Sequence, residues 1–122
     1  MPRTLVVFYK DREGNVPVLE WLDTLPSKIQ DKCVVKIERL RELGHELRRP
    51  EADLLRDGIY ELRVGHQGMN YRVLYFFHGR VAAVLTHGLI KEREVPVKDI
   101  ERALERKRQF EQAPEMHTYR ER

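Results

Sequence analysis

Two rhythms of apolar residues divide this chain, one helical and one of period two. Thr4 to Tyr9 is a β-branched and aromatic run that predicts a first strand. After a polar turn from Lys10 to Asn15, Pro17 suits the first position of a short helix. Val18, Leu19, Trp21, Leu22 and Leu25 form its apolar stripe, and Pro26 stops it. Ile29, Cys33, Ile37 and Leu40 then recur at helical spacing, widened by Val34, and predict a second helix from Ser27 to Leu43 with Gly44 as terminator. Its opposite face (Lys28, Asp31, Lys32, Lys36, Arg39, Glu42) reads as solvated. A loop from Gly44 to Asp53 follows, with the basic pair Arg48-Arg49 ahead of Pro50.

From Leu54 to Glu94 the rhythm changes. Gly58 to Val64, Met69 to Phe77 and Val81 to Ile90 read as strands, separated by Gly65 to Gly68 and by His78-Gly79. In the middle one, Tyr71, Val73, Tyr75 and Phe77 alternate against Arg72, Leu74 and Phe76. Short turns make these strands an antiparallel meander. Pro96 opens a last helix along Val97, Ile100, Leu104 and Phe110, with Asp99 and Glu101 near its start and Arg106, Lys107 and Arg108 near its end. The tail from Gln112 to Arg122 is polar, broken by Pro114, and expected to fray. The order strand-helix-helix-strand-strand-strand-helix predicts one α+β domain over residues 1–122. Its meander is covered on one face by the two N-terminal helices, leaving the other face partly open.

Composition narrows the function classes only modestly. At 122 residues the chain can bury a core without staples, and 35% charged residues give a dense charged surface. A net charge of +3 suits polyanions without requiring them. The single cysteine, Cys33, cannot form an internal disulfide and falls on an apolar helix stripe, as a small hydrophobe in a reducing compartment. No apolar run reaches spanning length and the first residues lack a signal-peptide core, so the cytoplasm is expected. The groups that break the apolar meander are Arg63, Arg72, His87 and Lys91. Arginines among aromatics on an open sheet face suit RNA, whose phosphates need cations and whose bases need planar surfaces.

The segments DGIYELR, NYRVLYFF, LTHGLIKERE and DIERALERKRQFE, in this order, resemble the HigB-like branch of the RelE/ParE toxin superfamily of type II toxin–antitoxin systems. The likeness covers nearly the whole chain and implies a RelE-like fold. It also implies a ribosome-dependent mRNA endonuclease that needs no metal or other cofactor. The 2′-hydroxyl would attack the neighbouring phosphorus, leaving a cyclic phosphate and a 5′-hydroxyl. Such a reaction needs a proton acceptor, cations for the phosphorane and an acid for the leaving oxygen. The resemblance makes Arg72 the bidentate phosphate clamp, Arg63 a neighbouring basic residue, and Lys91 or Arg93 part of the basic segment after the last strand. His87, with an ordinary pKa near neutrality, is the candidate acid or base. Where some relatives have a tyrosine, this chain reads Glu94-Val95-Pro96-Val97, and its next tyrosine is Tyr119.

Each residue also has a plainer role. Arg72 can pair with a carboxylate such as Glu61, Arg63 can snorkel at a strand end, and His87 can be a hydrogen-bonded structural histidine. Lys91 can be solvated charge. Tyr71 can be core or a stacking surface for a base, and Arg106, Lys107 and Arg108 can be a helix end or a contact to RNA phosphates. His66, His78 and His87 lack any metal-ligand spacing. The expected partners are a cognate helix-turn-helix antitoxin, in a hetero-oligomeric complex, and mRNA on the ribosome. Two alternatives stay open: a ParE-like toxin that binds a protein such as DNA gyrase without nuclease chemistry, and an inactive relic that only binds its partner.

Overall fold

The computed structural model describes residues 3–79 and 82–120. Its centre is a five-stranded sheet in the order β1-β5-β4-β3-β2. The strands are β1 (Leu5–Phe8), β2 (Ala52–Arg56), β3 (Ile59–His66), β4 (Met69–His78) and β5 (Ala82–Lys91). The helices are α1 (Pro17–Asp23), α2 (Ser27–Leu43) and α3 (Val97–Gln112). β2 to β5 form an antiparallel meander, and β1 joins its far edge in parallel with β5, Val7 opposite Val84. Mixed α+β architecture and the helix positions agree with the sequence pattern. Val81, expected to begin the third meander strand, lies outside the described residues.

Two expectations need correction. The meander has four strands rather than three, because Ala52 to Arg56 pairs with β3 instead of ending a loop. This edge strand is short, follows Pro50 and carries a bulge between Leu54 and Arg56, so its sequence looks like a turn. The tail does not fray within the described residues. His117 is 1% exposed and stacks on the Tyr9 ring at 5.2 Å, and its Nδ1–H donates to the Lys10 carbonyl at 2.8 Å. Lys10 N–H donates to the His117 carbonyl and Tyr119 N–H to that of Phe8, so the tail covers the outer edge of β1. Aromatic stacking and edge hydrogen bonds seat a segment that has almost no apolar pattern.

The sheet divides two cores. On the back, Leu62, Val73, Tyr75, Ala83 and Leu85 pack with Val18, Ile37 and Leu40 of α1 and α2. Cys33, Ile29 and Leu25 continue this layer over Val64 and Tyr71, and burial pushes the Cys33 thiol up to about 11. On the front, Ile59, Leu74, Phe76 and Val84 pack against Ala103 and Phe110 of α3. The second face is therefore half covered. The rest of it, beyond the first turn of α3, carries the site.

A bulge decides which β5 residues reach that front. Leu74 faces His87 but Tyr75 faces Leu85, so Thr86 is an extra residue on β5. Strict alternation from Val84 would send His87 and Lys91 to the back. The inserted Thr86 turns His87, Leu89 and Lys91 to the front and Gly88 to the back. There the Trp21 indole of α1 lies where a Cβ on Gly88 would be, so only glycine fits.

Candidate functional site

Glu61 and Arg63 lie two apart on β3 and so share the front face. Arg63 stands directly opposite Arg72 on β4, a like-charge pairing that is unfavourable on its own. Glu61, 2% exposed, resolves it. Its Oε1 accepts from Arg72 Nε at 2.9 Å, and its Oε2 accepts from Arg63 Nε at 3.3 Å and Nη2 at 3.2 Å. Lys91 Nζ, reaching across from β5, lies 3.4 Å from Oε1. Arg63 Nη2 also donates to Asp53 Oδ2 at 3.3 Å, and Arg49 holds the same oxygen at 2.8 Å. Two carboxylates thus face four cations, leaving a local positive excess.

Some donors of this cluster are unspent. Arg72 Nη1 donates to the Tyr71 carbonyl, but Arg72 Nη2 and Arg63 Nη1 have no hydrogen bond among the described residues. Arg63 is the most open of the three cations, its side chain 27% exposed against 9% for Arg72. Burial lowers the Arg72 pKa and the Glu61 charge opposes that, so a guanidinium this basic stays ionised. The plain pairing of Arg72 with Glu61 is real, and it leaves part of the guanidinium fork for a further anion.

His87 belongs to a separate group one row away, opposite Leu74 and under the start of α3. It is 6% exposed. Its Nε2 lies 3.2 Å from Asp99 Oδ1 and its Nδ1 2.9 Å from Thr86 Oγ1. The contact with Asp99 has ion-pair geometry, yet desolvation outweighs it and, with Arg106 beside the ring, lowers the His87 pKa to about 4. At neutral pH the ring is uncharged. Nε2–H then donates to Asp99, and Nδ1 accepts from the Thr86 hydroxyl. Both nitrogens are engaged, as expected of the structural histidine.

A family described as "Phage derived protein Gp49-like (DUF891)" matches residues 20–108, well over half of the chain. The chain belongs to the Gp49-like family. This is a family of toxins from toxin–antitoxin systems, related to RelE- and HigB-type toxins, so a toxin role and a cognate antitoxin follow. No curated protein matches. In this Gp49-like protein the matched span holds Glu61, Arg63, Arg72, His87 and Lys91, and leaves out β1 and the docked tail. None of the helices among the described residues is long and apolar enough to cross a membrane.

The other sequence candidates do not join the cluster. Tyr71 is sent to the back by the pleat, 6% exposed and 6.4 Å from the Trp21 ring, so it is core and offers no surface to a base beside Arg72. Arg93 lies in the exposed turn after β5. The three basic residues of α3 point apart, because neighbours on a helix are about 100° apart. Arg106 lies 5.5 Å from the centre of the Tyr9 ring, Lys107 pairs with Glu111 at 3.1 Å, and Arg108 pairs with Glu105. They sit before the last turn, which holds no basic residue. Sequence reasoning named Glu61 only as a partner and missed Asp53, Thr86 and Asp99 as site groups. The Glu-x-Arg spacing at Glu61 was the available signal, since period two places both on one face.

Proposed function

We propose that this Gp49-like protein is a HigB-type toxin that cuts mRNA on the ribosome by attack of the RNA 2′-hydroxyl on the adjacent phosphorus. The observation that carries the reading is the trio Arg63, Arg72 and Lys91 gathered round one carboxylate on the front of the sheet, with Arg63 partly open to solvent and guanidinium N–H groups left over. Such donors suit the equatorial oxygens of a phosphorane, where charge builds up during the reaction. In this reading Arg72 and Arg63 clamp the phosphate and Lys91 adds a point charge on its β5 side. His87 is uncharged, but Nε2 holds its proton against Asp99 and the lone pair on Nδ1 faces Thr86, so it can take a proton from RNA only after both contacts and the first turn of α3 rearrange. A resting enzyme without an exposed base is in keeping with dependence on the ribosome. Arg93 is the remaining candidate for contact with the RNA backbone, and the cytoplasm is the site of action.

The test is primer extension on mRNA from a reconstituted translation reaction, with wild type, Arg72→Lys and Arg72→Ala compared. Because Arg72 is buried, the lysine variant guards against loss of fold, which circular dichroism checks. The expected result is cuts inside translated codons that need ribosomes and disappear in both variants. Intact mRNA with a wild-type protein that still arrests growth would overturn the reading. Inhibition of DNA gyrase would then support the ParE-like alternative.

A further inference from the structure

Glu61 is a costly residue to place where it is. It is 2% exposed, it lies on the sheet face from which Arg63, Arg72 and Lys91 would meet RNA, and its charge opposes the binding of any anion there. A site selected for affinity alone would do better with a neutral residue. The geometry suggests what is gained. Glu61 takes both arginines by their inner Nε–H, Arg72 at 2.9 Å and Arg63 at 3.3 Å, and draws Lys91 to 3.4 Å. With its Nε and Nη1 engaged, Arg72 is left with Nη2, and Arg63 with Nη1, for an outside acceptor. These are side chains that would otherwise spread over many rotamers and repel one another across the Arg63–Arg72 pair.

We propose that Glu61 is a positioning residue for a phosphodiester. It stays bonded to Arg63 and Arg72 while their outer N–H groups take the phosphate, so that it trades anion affinity for a fixed clamp. This rests on the nuclease reading for its catalytic consequence but not for its binding consequence. A carboxylate behind the guanidinium groups fixes the direction of the donors, and orientation governs rate more than affinity. Removing the charge has two opposite effects. The local potential becomes more positive, which favours any phosphate, while the donors lose their orientation, which penalises only the transition state.

Two measurements decide it. The first uses wild-type protein and 15N NMR of the arginine Nε–H groups, titrated with inorganic phosphate and with a 2′-deoxy trinucleotide that cannot be cleaved. The expected result is that the Arg72 Nε–H signal keeps its carboxylate-bonded position to saturation while the outer Nη and the Lys91 Nζ signals move. An Arg72 Nε–H signal that leaves Glu61 for the phosphate overturns the proposal. The second compares wild type with Glu61→Gln for cleavage of ribosome-bound mRNA and for binding of the trinucleotide. Binding should hold or tighten, and the rate at saturation should fall about 10- to 100-fold, with the shape of the pH profile kept. An unchanged rate would make Glu61 a bystander, and loss of one limb of the pH profile would make it the proton acceptor, so either result overturns positioning. If wild type cuts no mRNA, the nuclease reading fails and the NMR titration still decides the role of Glu61. If Glu61→Gln does not fold, the titration decides alone.

Discussion

The two halves of the front face are made by the same three strands and are opposite in character. Under α3, Ile59, Leu74, Phe76 and Val84 meet Ala103 and Phe110, and the ionisable ring in this region, His87, has been driven to its uncharged form. A few residues along the same strands, Glu61, Arg63, Arg72 and Lys91 remain a network of charges. The difference does not lie in proximity to opposite charge, since His87 has Asp99 at 3.2 Å. Nor does it lie in burial alone, since Glu61 is 2% and Arg72 7% exposed against 6% for His87. It lies in the groups themselves and in how many share a charge. An imidazole loses its proton when desolvation and the nearby Arg102 and Arg106 act against it, whereas guanidinium groups stay ionised and share Glu61 among three cations.

The largest test of this contrast is Phe76→Ala. It removes a fully buried ring that packs edge-on to Phe110, and should cost about 3–5 kcal/mol in urea denaturation. A cost below about 1 kcal/mol would mean that α3 is not seated on the sheet. Arg63→Ala in the open half should behave in the reverse way. Its stability cost should stay near about 1 kcal/mol, as for a partly exposed pair, while ribosome-dependent cleavage falls about 100-fold or more. A stability loss matching that of Phe76→Ala would place Arg63 in the core after all.

The third prediction concerns pH. His87 has a folded pKa of about 4, below its ordinary 6.5, so the unfolded chain takes up the proton first. Its contribution to stability is complete above pH 6.5 and declines as the pH falls towards 4. Between pH 6.5 and pH 5, before most carboxylates titrate, wild type should lose about 1–2 kcal/mol more than His87→Gln. Equal losses would mean that water reaches the ring. The smallest effect is expected at Arg108→Ala, an exposed side chain whose ion pair among the described residues is with Glu105. Stability should change by less than about 0.5 kcal/mol and cleavage not at all. A loss of cleavage that worsens with added salt would extend the RNA contact onto α3.

The sequence pattern was legible where burial follows period. α2 was read to its ends because Ile29, Cys33, Ile37 and Leu40 sit on one stripe and all are buried. The cations were legible as exceptions within an apolar meander. Three features were hidden for separate reasons. β2 is too short and too close to Pro50 to separate from a turn. The bulge at Thr86 lies in a run from Ala82 to His87 that is buried on both faces, so no alternation marks the slip that reverses His87 and Lys91. The tail is held by His117 and by main-chain bonds, which hydrophobic patterning does not register. Tyr71 teaches the converse. Its adjacency to Arg72 suggested a shared role, but adjacent strand residues face opposite ways, and the pleat alone placed it in the core.

The strap of residues 117–119 over β1 also sets an order of events. β1 is made early, yet its partner in the sheet is residues 82–85 and, among the described residues, its outer edge is closed by residues 117–119. Contacts so distant along the chain are made late, after the local hairpins of the meander have paired. Until residues 117–119 are in place, the outer main-chain groups of β1 are unpaired, an open sheet edge of the kind that accepts another strand.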